Sequence, residues 1–274
     1  MALDVSVGQY FEGRSTIHKL DPRMKIIIAL LYIVIIFTAK NIFSFVLLIL
    51  SAILLTAVSS IPPRVFLKGL RPILLIVTLT AVLNIFWIKG ETKLVDWWIF
   101  QIYLEGVVNG IMLVLRIVIL LFGTSVFLTY TTTPIDLTDA IERLLSPLKK
   151  IRLPVHEFSM IMTIALRFIP TLIEETDKIM NAQKARGADF STGKLRDRAK
   201  ALIPVLIPLF VSAFRRAEEL AVAMECRSYR GGDGRTKMTV LTLRKRDGVF
   251  LAAMVLLGAA VVCVNMFAPG YSLM

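Results

Sequence analysis

Residues 106–129 read GVVNGIMLVLRIVILLFGTSVFLT, an apolar run whose one charged side chain is Arg116. The hydrocarbon core of a bilayer is about 30 Å thick, and roughly 20 mostly apolar helical residues cross it. Inside lipid the backbone has to satisfy its own hydrogen bonds, which a helix does within a single segment. The run therefore predicts a transmembrane helix.

Four more apolar runs, at residues 26–39, 42–58, 72–88 and 248–267, have the same character. The chain is 56% hydrophobic and 19% charged, with a mean hydropathy of +0.73, whereas about 25% of the residues in a soluble domain are charged. The runs lack the alternating pattern of a β-barrel. The sequence therefore predicts an all-α integral membrane protein with about five transmembrane helices, the first three of them short for a span.

Lysine and arginine are unevenly distributed between the two sides of these spans. The N-terminus, the 59–71 connection and the long polar insert at 130–247 hold 28 of the 32 basic residues, and the opposite loops hold 3. This is the positive-inside pattern, so we expect the N-terminus and the insert in the cytoplasm and the C-terminal tail outside. Anionic lipid headgroups account for this basic surface, and no nucleic-acid partner is predicted.

These observations divide the chain into three regions. Residues 1–129 form a membrane region with four spans, and residues 130–247 form a cytoplasmic region of amphipathic helices. Residues 248–274 contain the last span and an external tail. The first insert helix is predicted to begin where Thr133 precedes Pro134, because an N-cap residue followed by proline starts many helices.

Two longer amphipathic helices follow in the insert, at about 155–186 and 194–227. Arg167 and Pro170 interrupt the apolar part of the second insert helix, so we do not expect it to cross the bilayer as a simple span. We expect both helices to lie as struts at the cytoplasmic face.

Each long insert helix ends in a tripeptide centred on arginine, Ala185-Arg186-Gly187 in one case and Cys226-Arg227-Ser228 in the other. The planar guanidinium suits bidentate contacts with carboxylates. Either tripeptide alone is compatible with ordinary helix capping. Their occurrence at the ends of successive helices favours docking to a soluble partner.

The same helices carry apolar residues at helical spacing. Two interpretations remain open: internal packing between the helices, or a platform on which an apolar partner in the membrane rests. The residues concerned are Ile164, Leu172, Leu202, Leu206, Leu209 and Phe210.

The sequence shows no arrangement typical of an enzyme or a metal site. Cys226, Cys263, His18 and His156 are isolated and lack metal-ligand spacing. The GGDGRTK stretch at 231–237 has the wrong order for a phosphate-binding loop and is interpreted as a linker. We therefore expect no catalytic residue, no metal and no cofactor in this chain.

The segment before the first span reads LDPRMK. It resembles the L-D-P-R-x-K motif of the transmembrane T component of energy-coupling factor (ECF) transporters, which places the motif at Leu20, Asp21, Pro22, Arg23 and Lys25. The two arginine tripeptides match the motifs by which this family docks its coupling helices onto ATP-binding-cassette ATPases. The second tripeptide has Cys226 where the family usually has alanine. The resemblance covers nearly the whole chain.

The resemblance implies the coupling subunit of a vitamin or micronutrient importer in the bacterial cell membrane. Its implied partners are two cytoplasmic ATPases, which bind ATP and Mg²⁺, and a membrane-embedded substrate-binding S component. Nucleotide binding would move the ATPases, the coupling helices and then the S component.

The alternatives are a stand-alone secondary transporter or another polytopic membrane protein. Secondary transporters usually carry ionisable groups within their spans, whereas these spans contain Arg116 and little else, with Glu105 at an edge. Arg116 itself has two interpretations. It binds helix-end carbonyls or Asn84 within the chain, or it contacts the substrate-binding subunit.

Overall fold

The computed structural model describes residues 10–267 except 12, 14, 88–92, 98–99, 152–153, 191–194 and 232–240. The chain forms two compact units: a membrane unit, Gly8–Leu137 with Val240–Met274, and an insert unit centred on Thr138–Thr239. The described helices are α1 (Pro22–Thr38), α2 (Ile42–Ser59), α3 (Pro63–Trp87), α4 (Leu104–Thr124), α5 (Pro134–Leu145), α6 (Val155–Ala185), α7 (Leu195–Cys226) and α8 (Lys245–Phe267).

The prediction of an all-α membrane protein is confirmed, with one addition. Strands β1 (Lys93–Trp97) and β2 (Phe100–Tyr103) form an antiparallel hairpin between α3 and α4, in which Val95 pairs with Ile102 and Trp97 with Phe100. The sequence analysis did not predict this hairpin, because such short strands give a much weaker signal than the apolar runs on either side.

Within the described part of the chain, four helical segments are long and apolar enough to cross a membrane: Ile42–Ser59, Leu104–Tyr130, Val155–Ala185 and Lys245–Phe267. The segment Val155–Ala185 is the least apolar of the four, with a mean hydropathy of 1.2 against 2.5 to 2.6 for the others. It also contains Pro170. Helix α1 has 17 residues, in agreement with the prediction of a short first span.

The core of the membrane unit forms around α1, which packs against α4 and α8. Tyr32 of α1 is fully buried and meets Phe127 edge-on, with ring centroids 6.4 Å apart. Gly123 of α4 lies directly against the ring of Tyr32, because a Cβ at that position would overlap it. Residues Ser125–Tyr130 continue α4 as a π-helical turn that ends next to Thr131.

The insert unit contains α6 and α7 as an antiparallel pair. Glu175 of α6 accepts a hydrogen bond from Arg216 of α7 at 2.8 Å, and Gln183 lies 3.5 Å from the carbonyl oxygen of Pro204. The predicted ranges of 155–186 and 194–227 agree with these helices to within a residue or two. The predicted start of the third helix at 194 lies outside the described residues, as do residues 232–237 of the linker predicted at 231–237 and the tail at 268–274.

Helix α5 begins as predicted. The hydroxyl of Thr133 accepts from the backbone N–H of Asp136 at 3.1 Å, which caps the helix, and Pro134 is the first helical residue. The α-helical part ends at Leu145 and continues as a 3-10 helix, Ser146–Ile151.

We predict that Gly123→Ala destabilises the chain, because the new methyl group overlaps the buried ring of Tyr32 and overpacking typically costs about 1–3 kcal/mol. Gly248→Ala in α8 is the matched control, since its Cβ would meet no atom within 4 Å. Replacing glycine in a helix otherwise stabilises by roughly 0.5–1 kcal/mol. Thermal unfolding in detergent compares the two variants, and an equal melting temperature for both would contradict this packing.

Candidate functional site

The L-D-P-R-x-K motif caps α1. Asp21 accepts from the backbone N–H of Arg23 at 2.9 Å, and Pro22 takes the first helical position. The guanidinium of Arg23 donates to both carboxylate oxygens of Asp21, from Nε at 3.1 Å and from Nη2 at 2.8 Å. Asp21 is only 6% exposed, so the carboxylate of this charge pair is shielded from solvent.

The same motif binds the start of α8. The backbone N–H of Asp21 donates to one oxygen of Asp247 at 2.9 Å, while the other oxygen accepts from the backbone N–H of Arg244 at 2.7 Å. Nη2 of Arg23 also donates to the carbonyl oxygen of Leu241 at 3.0 Å. The beginnings of α1 and α8, more than 200 residues apart in sequence, are therefore joined directly.

Lys25 binds the end of α4. Its side chain is buried, and Nζ donates to the carbonyl oxygen of Thr131 at 2.6 Å and to that of His18 at 3.3 Å. A cation at the C-terminal end of a helix also meets the negative end of the helix dipole. Leu20 of the motif is buried at 3% exposure in the hydrophobic core. The motif thus acts as a junction of three helix ends.

Sequence reasoning found the motif but not its partners. Asp247 lies 226 residues from Asp21 and Thr131 lies 106 residues from Lys25, and the spacing of the residues does not encode such contacts. A signal was available for Asp247, because an acidic side chain at the third helical position often caps a helix start.

Arg116 shows one of its two predicted arrangements. Its Nη2 donates to the carbonyl oxygen of Ala39 at 2.8 Å, at the C-terminal end of α1, and its guanidinium lies over the ring of Phe45 at 5.5 Å. The amide of Asn84 instead donates to the carbonyl oxygen of Thr80 in its own helix. Arg116 is thus bound by a helix-end carbonyl, as the first interpretation expected, and its contact with the substrate-binding subunit stays a prediction.

The first arginine tripeptide terminates α6 in a Schellman cap. Ala185 is the last helical residue, Arg186 is the C-cap, and Gly187 adopts the left-handed conformation with φ of 91°. The N–H of Gly187 donates to the carbonyl oxygen of Lys184 at 2.9 Å, and that of Ala188 to Gln183 at 3.0 Å.

The second tripeptide builds the same cap at the end of α7. Cys226 is the last helical residue, and Ser228 adopts the left-handed conformation with φ of 56°. The N–H of Ser228 donates to the carbonyl oxygen of Glu225 at 2.8 Å, and that of Tyr229 donates to Met224 at 3.0 Å. Arg186 and Arg227 are both exposed, and neither guanidinium has an ion-pair partner in the described part of the chain.

The two arginine tips lie at opposite ends of the α6–α7 pair, since the helices run antiparallel and each tip is at a C-terminus. The part of α7 from Pro204 to Cys226 alone extends about 33 Å at a rise of about 1.5 Å per residue. A pocket of about 570 Å³ opens at the second tip, between Met160 of α6 and the turn that contains Arg227 and Arg230.

The ion pair between Glu175 and Arg216 joins the two helices between the tips. Glu175 lies beyond the apolar part of α6 and also forms a hydrogen bond with Ser212 of α7, so two polar contacts join the helices at this level.

The six apolar residues singled out in the sequence divide into two sets. Leu202, Leu206 and Phe210 are exposed, whereas Ile164, Leu172 and Leu209 are half-buried. Sequence reasoning missed further exposed residues on the same side of α7, at spacings of three and four residues that were available as a signal. These residues are Ile203, Ile207, Val211 and Phe214.

The chain is similar to known proteins over both the membrane unit and the insert unit. The chain matches the family described as CbiQ, cobalt transport protein, over residues 13–238. It is 50% identical over 266 residues to the energy-coupling factor transporter transmembrane protein EcfT of Clostridium kluyveri, covering 97% of each chain. It is 52% identical over 247 residues to the protein of that name from Ruminiclostridium cellulolyticum, covering 90% of this chain and 92% of the relative. The corresponding Bacillus subtilis protein is 48% identical over 253 residues, covering 92% of this chain and 95% of the relative.

We predict that Lys25→Met lowers the thermal stability of the chain. Methionine fills a similar volume but leaves the buried carbonyl oxygen of Thr131 without its donor, and an unpaired buried polar group costs about 1–3 kcal/mol. The matched control is Lys19→Met, because Lys19 is exposed. Unfolding followed in detergent would contradict the junction if both variants had the melting temperature of the unmodified chain.

Proposed function

The chain belongs to the family of energy-coupling factor transporter transmembrane proteins, and from that premise we propose that it couples two cytoplasmic ATPases to a substrate-binding membrane subunit. The family is a non-enzymatic, multi-pass component of bacterial membrane transport. In the proposed complex the two ATPases bind ATP and Mg²⁺, the S component binds a vitamin or another micronutrient, and this chain supplies the mechanical connection.

The observation that carries this proposal is the pair of identically capped arginine tips at opposite ends of α6 and α7. One ATPase would bind the tip at Arg186, and the other the tip at Arg227. An exposed guanidinium without an ion-pair partner of its own fits a carboxylate on another protein. Two tips on one helix pair give each ATPase a separate point of attachment.

The coupling step follows from this attachment. When nucleotide binding draws the ATPases together, the forces on the two tips act on opposite ends of one antiparallel pair. The contact between Glu175 and Arg216 and the buried side chain of Val205 hold the two helices together between the tips. A displacement at either tip would therefore change the placement of both helices.

The second contact of the proposed mechanism is the exposed apolar stripe of α7, which is formed by Leu202, Ile203, Leu206, Ile207, Phe210, Val211 and Phe214. Phe210 is 62% exposed and Phe214 is 72% exposed. Burial of an apolar surface is non-directional, so one stripe can serve S components of different sequence. The platform formed by Leu202, Leu206 and Phe210 would move with α7 and reorient the S component.

The proposed orientation follows the distribution of charge. The N-terminus, α6 and α7 would face the cytoplasm, where the ATPases are, and the C-terminal end would lie outside. The membrane unit would anchor the insert in the bilayer.

We predict that Arg186→Ala and Arg227→Ala each weaken assembly with the ATPases, and that the double variant loses it. Removing one partner of a desolvated charge pair typically costs about 2–5 kcal/mol. Arg186→Lys keeps the charge without the planar fork, so it should bind more weakly than the unmodified chain and better than Arg186→Ala. Copurification of the ATPases and uptake of substrate are the measurements.

Arg215→Ala is the control for these variants, since Arg215 is exposed on α7 but lies away from both tips. If the double variant retains both ATPases and transports at the rate of the control, the tips are not the points of attachment.

We predict that Leu206→Asp releases the S component while both ATPases stay bound, because a carboxylate on the stripe opposes burial against an apolar surface. Val222→Asp introduces the same charge at an exposed apolar position of α7 nearer the Arg227 tip and should leave the S component bound. Quantifying each subunit after purification in mild detergent separates the outcomes. Equal retention of the S component by both variants would place its contact elsewhere.

A further inference from the structure

A groove runs between α2 and α8 on the surface of the membrane unit. It encloses about 240 Å³ and is lined almost wholly by apolar side chains, among them Leu50 and Leu54 of α2 and Phe250 and Leu257 of α8. The hydroxyl of Ser51, which also lines the groove, donates to the carbonyl oxygen of Leu48 within its own helix. The groove therefore offers hydrocarbon contact and no free polar group among these residues.

The positively charged side chain of an arginine lies at one end of this groove. Arg246 precedes Phe250 by four residues, so it lies on the same face of α8 as Phe250, Ala253 and Leu257, about one helical turn nearer the basic end. Its side chain is exposed and has no ion-pair partner among the described residues. The neighbouring carboxylate of Asp247 points away, because it is buried and both its oxygens accept backbone N–H groups.

The length of the groove indicates what fills it. From Phe250 to Leu257 it extends about 10 Å along α8, whereas one leaflet contributes about 15 Å of hydrocarbon and the whole core about 30 Å. An acyl chain anchored at Arg246 lies within one leaflet, which matches the length of the groove, and the exposed guanidinium at its end supplies a partner for a headgroup phosphate.

We propose that the α2–α8 groove and Arg246 form a binding site for one phospholipid with an anionic headgroup. The acyl chain lies against Phe250, Ala253 and Leu257, and the phosphate group pairs with the guanidinium of Arg246. The positive N-terminal end of the α8 dipole adds to the attraction for the headgroup. The site belongs to the membrane unit and does not depend on the arginine tips.

The test compares two lipids on the full-length chain. The protein is purified in mild detergent and titrated with dioleoyl phosphatidylglycerol or dioleoyl phosphatidylcholine, and bound lipid is counted by native mass spectrometry. One phosphatidylglycerol should bind in preference to phosphatidylcholine. Arg246→Ala should reduce this preference about fivefold, the effect of one interfacial cation, whereas Lys245→Ala on another face of α8 should change it less than twofold.

A second pair of variants tests the acyl-chain contact. Ala253→Phe fills the groove and should abolish binding of the first lipid with either headgroup, while Ala252→Phe places the same side chain on another face of α8 and should not. If Arg246→Ala and Ala253→Phe bind lipid as their controls do, the lipid is part of the general annulus and the site does not exist. If Ala253→Phe instead displaces the S component from the complex with unchanged lipid binding, the groove is a protein interface.

Discussion

The buried ammonium group of Lys25 is the constraint on which the membrane unit depends. A charge removed from water is costly unless hydrogen bonds or charges compensate it, and Lys25 donates to the carbonyl oxygens of Thr131 and His18. Because Thr131 follows the π-helical turn that ends α4, the position of Lys25 fixes the beginning of α1 against the end of α4. Tyr32 and Gly123 then pack in register along the same two helices.

The same motif binds both segments of the membrane unit that lead to the insert. Lys25 binds Thr131, shortly before the first segment ends at Leu137, and Arg23 donates to the carbonyl oxygen of Leu241, shortly after the second segment begins. Asp21 extends this clamp to the start of α8 through Asp247. In the proposed function the ATPases act on the arginine tips of the insert. The insert can transmit that movement only if the residues that join it to the membrane unit are held in place. The motif therefore supplies the fixed base that the proposed coupling function of α6 and α7 requires.

Local chemistry was predictable from the sequence, and contacts between distant segments were not. Thr133 with Pro134 and the arginine tripeptides marked helix ends correctly, because capping depends on a few adjacent residues. The bond from Arg116 to the carbonyl oxygen of Ala39 is a contact that the sequence did not identify. In sequence Arg116 lies well inside an apolar run, and only the three-dimensional fold reveals that α1 ends beside it. The cost of burying this charge is thereby offset by a helix end that lacks its own hydrogen-bond donors.

The two arginine tips differ in sequence but share one backbone shape. Gly187 adopts the left-handed conformation without strain, whereas Ser228 adopts it at a cost of about 1 kcal/mol. In a Schellman cap the chain turns sharply after the C-cap residue, and the side chains at that position are exposed in both tips. Arg186 and Arg227 both occupy that position, and in the proposed function the strain at Ser228 would be the energetic counterpart of presenting Arg227 to an ATPase.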